Sequence, residues 1–211
     1  KGPELVMCNI DKTDFLDFTE EKYVDLLQKA KATGRFISFK DFDKHSSGYL
    51  WRHDVDFSPH RSRRLAELEA TEELYSTFFI HLHSEFYNIL EKKVLEQFQE
   101  ILNLGHSVGL HFDMEFYSSC LTKEELETHI EFEKLVLERL LNTEIETVSF
   151  HNPILESLDD TDHIAGLVNT YGKTISSHFS YCSDSNGYWR HERLFDFVGS
   201  KREGLYRVLT H

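Results

Sequence analysis

Cysteine and proline are scarce in this chain, with three of each in 211 residues. Cys8, Cys120 and Cys182 form an odd, widely spaced set, which argues against a disulfide framework or a zinc knuckle and leaves buried or idle thiols in a reducing compartment as the expectation. Long apolar runs are missing too. No segment approaches the roughly 20 apolar residues that a membrane span needs, and Lys1-Gly2-Pro3-Glu4 lacks the apolar core of a signal peptide, so a cytoplasmic setting is expected. Bases are few: 23 against 37 acids give a formal net charge of -14. Such a surface repels nucleic acid phosphates and anionic membranes, which removes both from the expected partners. There is no internal repeat and no low-complexity tract. What the chain does have is 40% hydrophobic content, enough for one substantial core and a single domain.

Helical and strand patterns alternate with little linker between them. Within a helical lead-in covering residues 1–34, Thr19 followed by Glu20 and Glu21 starts a helix that puts Tyr23, Leu26, Leu27 and Ala30 on one face before Gly34 stops it. Residues 35–39 and 49–57 read as strands. Ser58-Pro59 opens a helix through Leu65, Leu68 and Leu74. Residues 76–82 read as strand, and a helix over about 90–104 carries Val94, Leu95, Phe98, Ile101 and Leu102 on one stripe up to Gly105. A strand over 108–112 follows. Thr122-Lys123-Glu124-Glu125 has the form of a capping box for a helix with Leu126, Ile130, Leu137 and Leu141 inward. Strands at 147–150 and 174–181 complete the pattern. This βαβα succession predicts an α/β fold with a parallel sheet, open or closed, whose functional end is the C-terminal end of its strands.

Acids and imidazoles gather at those ends. The clusters are Arg52-His53-Asp54-Val55-Asp56, His106 to Asp113, Phe150-His151-Asn152-Pro153 and the terminal Leu209-Thr210-His211. Together they predict one polar site at the mouth of the sheet, holding a divalent metal. Asp54 and Asp56, two apart on a strand, project from one face, as do His111 and Asp113. The competing reading is that the two acids cap the next helix and pair with Arg61 or Arg64.

His53-Asp54-Val55-Asp56, Gly105-His106-Ser107-Val108-Gly109-Leu110-His111, Ser149-Phe150-His151-Asn152-Pro153, Asp184-Ser185-Asn186-Gly187-Tyr188-Trp189 and Leu209-Thr210-His211 recur in that order in polysaccharide deacetylase-like proteins. The chain resembles this group, part of the NodB-homology, carbohydrate esterase family 4 superfamily, over about residues 35 to 211. The resemblance implies a distorted (β/α) barrel of about seven strands and a metal-dependent deacetylase. It also implies zinc, or else cobalt, nickel or manganese, held by one aspartate and two histidines. Carried onto this chain, Asp54 is the general base, Asp56 a metal ligand and His211 the general acid, with the roles of Asp54 and Asp56 open to exchange because Val55 separates them.

The chemistry explains the residue types. A bound divalent ion lowers the pKa of water from 15.7 to about 7 and polarises the scissile carbonyl, a carboxylate takes the water's proton, and an imidazolium protonates the leaving group. The family's two metal histidines stand four apart, which here pairs His111 with Glu115, so one imidazole is missing. His151, at the position of a family arginine, is the expected replacement, with Asp113 or Glu115 as the alternative. His106 is read as structural. Of His81 and His83, strand alternation allows only one to line the mouth, and His83 is preferred, for substrate contact or as an alternate ligand. Asp184 and Trp189 resemble the family's late acid and aromatic motif, the acid orienting catalytic groups and the aromatic walling a sugar pocket, with core packing an equal reading for Trp189. Arg190 and His191 read as a solvated continuation, and the natural chain is expected to continue past His211, since a frayed end makes a poor general acid. The expected substrate is an acetylated amino sugar or glycan precursor. A small non-sugar amide or cyclic imide, of the allantoinase-like type, and a catalytically silent glycan-binding role are the alternatives.

Overall fold

A computed structural model of the chain describes residues 17–117, 121–153, 161–184, 189, 192–200 and 204–211. Cys8, Cys120, residues 185–188 of the late motif, Arg190 and His191 lie outside the described residues. In chain order the elements are α1 (Glu20–Thr33), β1 (Gly48–Val55), α2 (Pro59–Thr71), β2 (Thr77–Ile80), α3 (Lys92–Asn103), β3 (Ser107–Asp113), α4 (Met114–Tyr117), α5 (Lys123–Leu141), β4 (Thr147–His151), β5 (His163–Ile164), β6 (Leu167–Asn169), α6 (Lys173–His178), β7 (Ser180–Ser183), α7 (Leu194–Ser200) and β8 (Leu205–Thr210). The strands form one sheet in the order β5-β6-β4-β3-β2-β1-β8-β7. Every neighbouring pair is parallel except β5 with β6. The sheet curls into a distorted, open (β/α) barrel with eight strands against the seven or so expected.

Local chemistry sets the helix ends. The Thr19 hydroxyl accepts from the Lys22 amide at the start of α1, Ser58 accepts from Arg61 at α2, and Thr122 and Glu125 form the reciprocal capping box of α5. Two sequence expectations are corrected here. Residues 174–181 are not one strand: Asp162 accepts hydrogen bonds from the Thr174 amide at 2.7 Å and its hydroxyl at 2.6 Å, anchoring the first turn of α6, and only the last residues turn into β7. Residues 35–39 contribute a single bridge, Phe36 to Tyr49, before a 3-10 turn at Phe39–Asp41 capped by Ser38.

β1 runs through the middle of the sheet and is buried along its whole length. One face of the strand sends Trp51, with its neighbour Val208 on β8, into an apolar cluster with Leu26, Leu27 and Ala30 of α1. Along the other face Leu50, at the N-terminal end, joins Phe39, Phe79 and Phe179 inside the barrel, and Arg52 and Asp54 follow towards its mouth. The barrel is therefore filled with hydrocarbon at one end and charged at the other. Gly109 makes that filling possible, since a Cβ there would stand 2.5 Å from the Phe79 ring and 2.6 Å from the Thr147 hydroxyl.

Candidate metal centre

Asp56, His111 and His151 converge at the C-terminal end of the parallel strands. Asp56 follows β1 by one residue, His111 sits in β3 and His151 ends β4. Asp56 Oδ1 lies 3.2 Å from His111 Nε2 and 3.5 Å from His151 Nδ1, and the three ligating atoms are all within 4.8 Å of one another. Neither contact has hydrogen-bond geometry. Asp56 Oδ1 is thus a buried oxygen without a hydrogen-bond partner, although two imidazole nitrogens stand beside it. Ligands about 2.0–2.2 Å from a tetrahedral zinc ion are separated by about 3.3–3.6 Å, so the two contacts of Asp56 have about the length of coordination-shell edges. They fit a divalent cation. Burial alone would push the Asp56 carboxyl up, but His111 and His151 outweigh it and hold the group far below the ordinary carboxylate range. Asp56 in turn raises the His151 imidazole, against the effect of burial.

Supporting groups surround the centre. Ser149 is paired with His111 in the β3–β4 register, and its hydroxyl lies 3.2 Å from His111 Nδ1, which leaves Nε2 to face Asp56. Asp54 is buried beside the centre, its Oδ2 3.9 Å from His111 Nε2 and accepting from Arg52 Nη2 at 3.2 Å, while Oδ1 has no hydrogen-bond partner. Arg52 is fixed in turn, donating to Thr170 Oγ1 at 2.7 Å and to the Tyr171 hydroxyl at 3.0 Å. The helix-capping alternative for the acids does not hold, because Ser58 caps α2 and Arg64 pairs with Glu20 and Glu67.

On one side of the centre a cavity of about 530 Å³ is lined by Asp54, Asp56, Phe57, Asp184 and His211. His211 follows β8, and Asp184 follows β7. The Asp184 carboxylate accepts the His211 amide at 2.9 Å through Oδ2, and its Oδ1 lies 2.5 Å from His211 Nδ1. Burial lowers the His211 imidazole, but Asp184 more than offsets this and the net shift is upward. Trp189 stacks on Phe18, donates to Asp17 at 3.0 Å, and lines an adjoining cavity of about 290 Å³ together with Asp184 and His211.

On the other side, a cavity of about 410 Å³ is lined by Asp56, His81, His83, Asp113, Glu115 and His151. Both His81 and His83 reach it, contrary to the alternation argument, because β2 ends at Ile80 and the turn that follows no longer alternates. His83 Nε2 is 2.9 Å from Glu133 Oε1. His106 is structural as expected, its Nδ1 accepting from the Ser76 amide at 3.2 Å and its Nε2 lying 2.9 Å from the Ala66 carbonyl oxygen. Sequence reasoning missed Arg52, Ser149 and the proximity of His81. Alternation along β1 offered a signal for Arg52, two residues before Asp54; the other two depend on which strands are neighbours.

No family model matches the chain, and no curated protein matches it. Solved structures do. A family 4 carbohydrate esterase of Streptococcus mutans superposes with a TM-score of 0.56 at 15% identity, over 87% of this chain and 82% of its own. A mutant of a family 4 pseudoenzyme from Bacillus anthracis superposes at 0.50 with 14% identity, over 79% of this chain, which spans 57% of that protein's length. The fold is that of the family 4 carbohydrate esterases, the NodB-like barrel.

Proposed function

We propose that the chain is a metal-dependent hydrolase that removes an acetyl group from an amino sugar of a glycan or glycan precursor. The observation that carries this reading is the buried, unpartnered Asp56 Oδ1 with His111 and His151 at ligand spacing. Asp56, His111 and His151 would hold the cation, zinc first and cobalt, nickel or manganese as alternatives. When bound, such an ion acidifies water and polarises the scissile carbonyl. Asp54 then accepts the water's proton at Oδ1, which Arg52 leaves free by binding Oδ2. His211, whose imidazole pKa Asp184 raises against burial, gives a proton to the leaving nitrogen as the tetrahedral intermediate collapses. His83 and Trp189, walling cavities on opposite sides, contact the flanking parts of the substrate, and the Trp189 face suits the apolar side of a sugar ring.

The test is acetate release from N-acetylated chitooligosaccharides by zinc- or cobalt-loaded protein. The reading expects release that Asp54→Asn abolishes with metal content unchanged. Hydrolysis of allantoin or a cyclic imide instead would assign the same centre to a small amide, and protein that takes up no metal and turns over neither substrate class would favour the catalytically silent glycan-binding reading.

A further inference from the structure

A second pair of ligating side chains adjoins this centre. His81 stacks on His151 with ring centroids 4.6 Å apart and stands edge-on to His111 at 5.7 Å. Its side chain is 7% exposed, yet Nε2 has no hydrogen-bond partner. Across from that nitrogen is Asp113 Oδ2, at 3.5 Å and without hydrogen-bond geometry. The other Asp113 oxygen accepts the Glu115 amide at 2.9 Å, which fixes the direction of the carboxylate. The arrangement repeats that of Asp56 with its imidazoles: a carboxylate oxygen and an imidazole nitrogen separated by one edge of a coordination shell, one of the two atoms buried and unpartnered. Both side chains line the cavity of about 410 Å³, which has room for water to complete the shell and brings Glu115 within the same lining. His83 does not compete, because its Nε2 is engaged by Glu133.

We infer that His81 and Asp113 form a second divalent-cation position beside the Asp56–His111–His151 centre. One imidazole, one carboxylate and water make a donor set suited to manganese, cobalt or zinc. His211 and Asp184 do not line this cavity; they line the one that shares Asp56 and Phe57 with it. An ion held there by His81 and Asp113 would offer a substrate oxygen in that cavity a Lewis-acid contact. This inference rests on the reading of the first centre as a cation site.

The test is calorimetric titration of chelator-stripped protein with Mn²⁺ and, separately, with Zn²⁺, checked by metal analysis after gel filtration. Wild type is expected to bind two ions per chain, His81→Asn and Asp113→Asn one each, and Asp56→Asn one. Circular dichroism confirms that each variant is folded, and the wild-type stoichiometry stands without any variant. One ion per wild-type chain, lost in Asp56→Asn and kept in His81→Asn, overturns the second position and leaves the proposed function intact. Two ions retained in the His81→Asn, Asp113→Asn double variant also overturn it. No ion at all removes the first centre, and the proposed function with it.

Discussion

Arg52 and Asp54 form a buried ion pair inside the barrel, both within a few per cent of complete burial. Removing the guanidinium leaves a buried carboxylate without its counter-charge, so Arg52→Met should cost about 3–5 kcal/mol of stability in chemical denaturation. A loss below about 1 kcal/mol would mean the pair is not a structural element. His211 allows a kinetic prediction. Because Asp184 raises its imidazole pKa, the acid form persists to higher pH than in a free histidine, and activity should fall as pH rises through that raised value. Asp184→Asn withdraws the stabilising charge, so the alkaline limb of the kcat/KM profile should move to lower pH; an unmoved limb would rule out His211 as the general acid. At this scale the sequence was informative wherever a residue ended a strand. Asp54, Asp56, His111 and His151 meet as expected because alternation and the parallel pattern fix which way strand-end residues point. Arg52 was passed over because an arginine is almost never fully buried unless paired, and its partners Thr170 and Tyr171 lie 118 and 119 residues further on.

Among the elements, β1 is tied to its surroundings by a polar network on the face opposite Asp54. His53 Nε2 lies 2.6 Å from Glu69 Oε1 of α2, and His53 Nδ1 lies 2.6 Å from the Thr210 hydroxyl of β8. Glu69 also accepts from the Tyr23 hydroxyl of α1 and from the Ser76 hydroxyl at 2.6 Å. The network therefore joins both helices to the two strands that carry Asp54 and lead to His211. Burial pushes the Glu69 carboxyl up, but His53, His106 and Ser76 outweigh it and the net pKa is lowered. A carboxyl depressed in the folded state stabilises it above the unfolded-state pKa, and that stability is lost as pH falls through the folded value. Glu69→Gln should thus remove about 3 kcal/mol at neutral pH and flatten the acid arm of the stability profile. At α5, Thr122→Ala should cost about 1 kcal/mol by breaking the capping box. Caps and amphipathic stripes of this kind were legible because they are local. The α6 segment was not: Thr174 and Ile175 are good strand residues, and the decisive hydrogen bonds come from Asp162, twelve positions earlier.

For the molecule as a whole, alternating helices and strands were enough to expect a parallel sheet, open or closed, and the family resemblance implied a barrel, but neither gave the order of its strands. The late β8 and β7 complete the edge beside β1, and this brings His211 and Asp184 to the cavity lined by Asp54. Among the described residues no helix is long and apolar enough to cross a membrane. A cation held by three side chains from three strand ends should stabilise the whole barrel. At 100 times its dissociation constant, an ion that binds only the folded state adds about 2.7 kcal/mol, which for a chain of this size corresponds to a rise of about 5–10 °C in Tm. EDTA should reverse the rise, and Asp56→Asn should remove the part contributed by this centre. The most direct test is a crystal structure of the zinc-loaded protein with anomalous data collected at the zinc edge. The account predicts an ion within about 2.0–2.2 Å of an Asp56 oxygen, His111 Nε2 and His151 Nδ1. A map with no anomalous peak among those three side chains would contradict it.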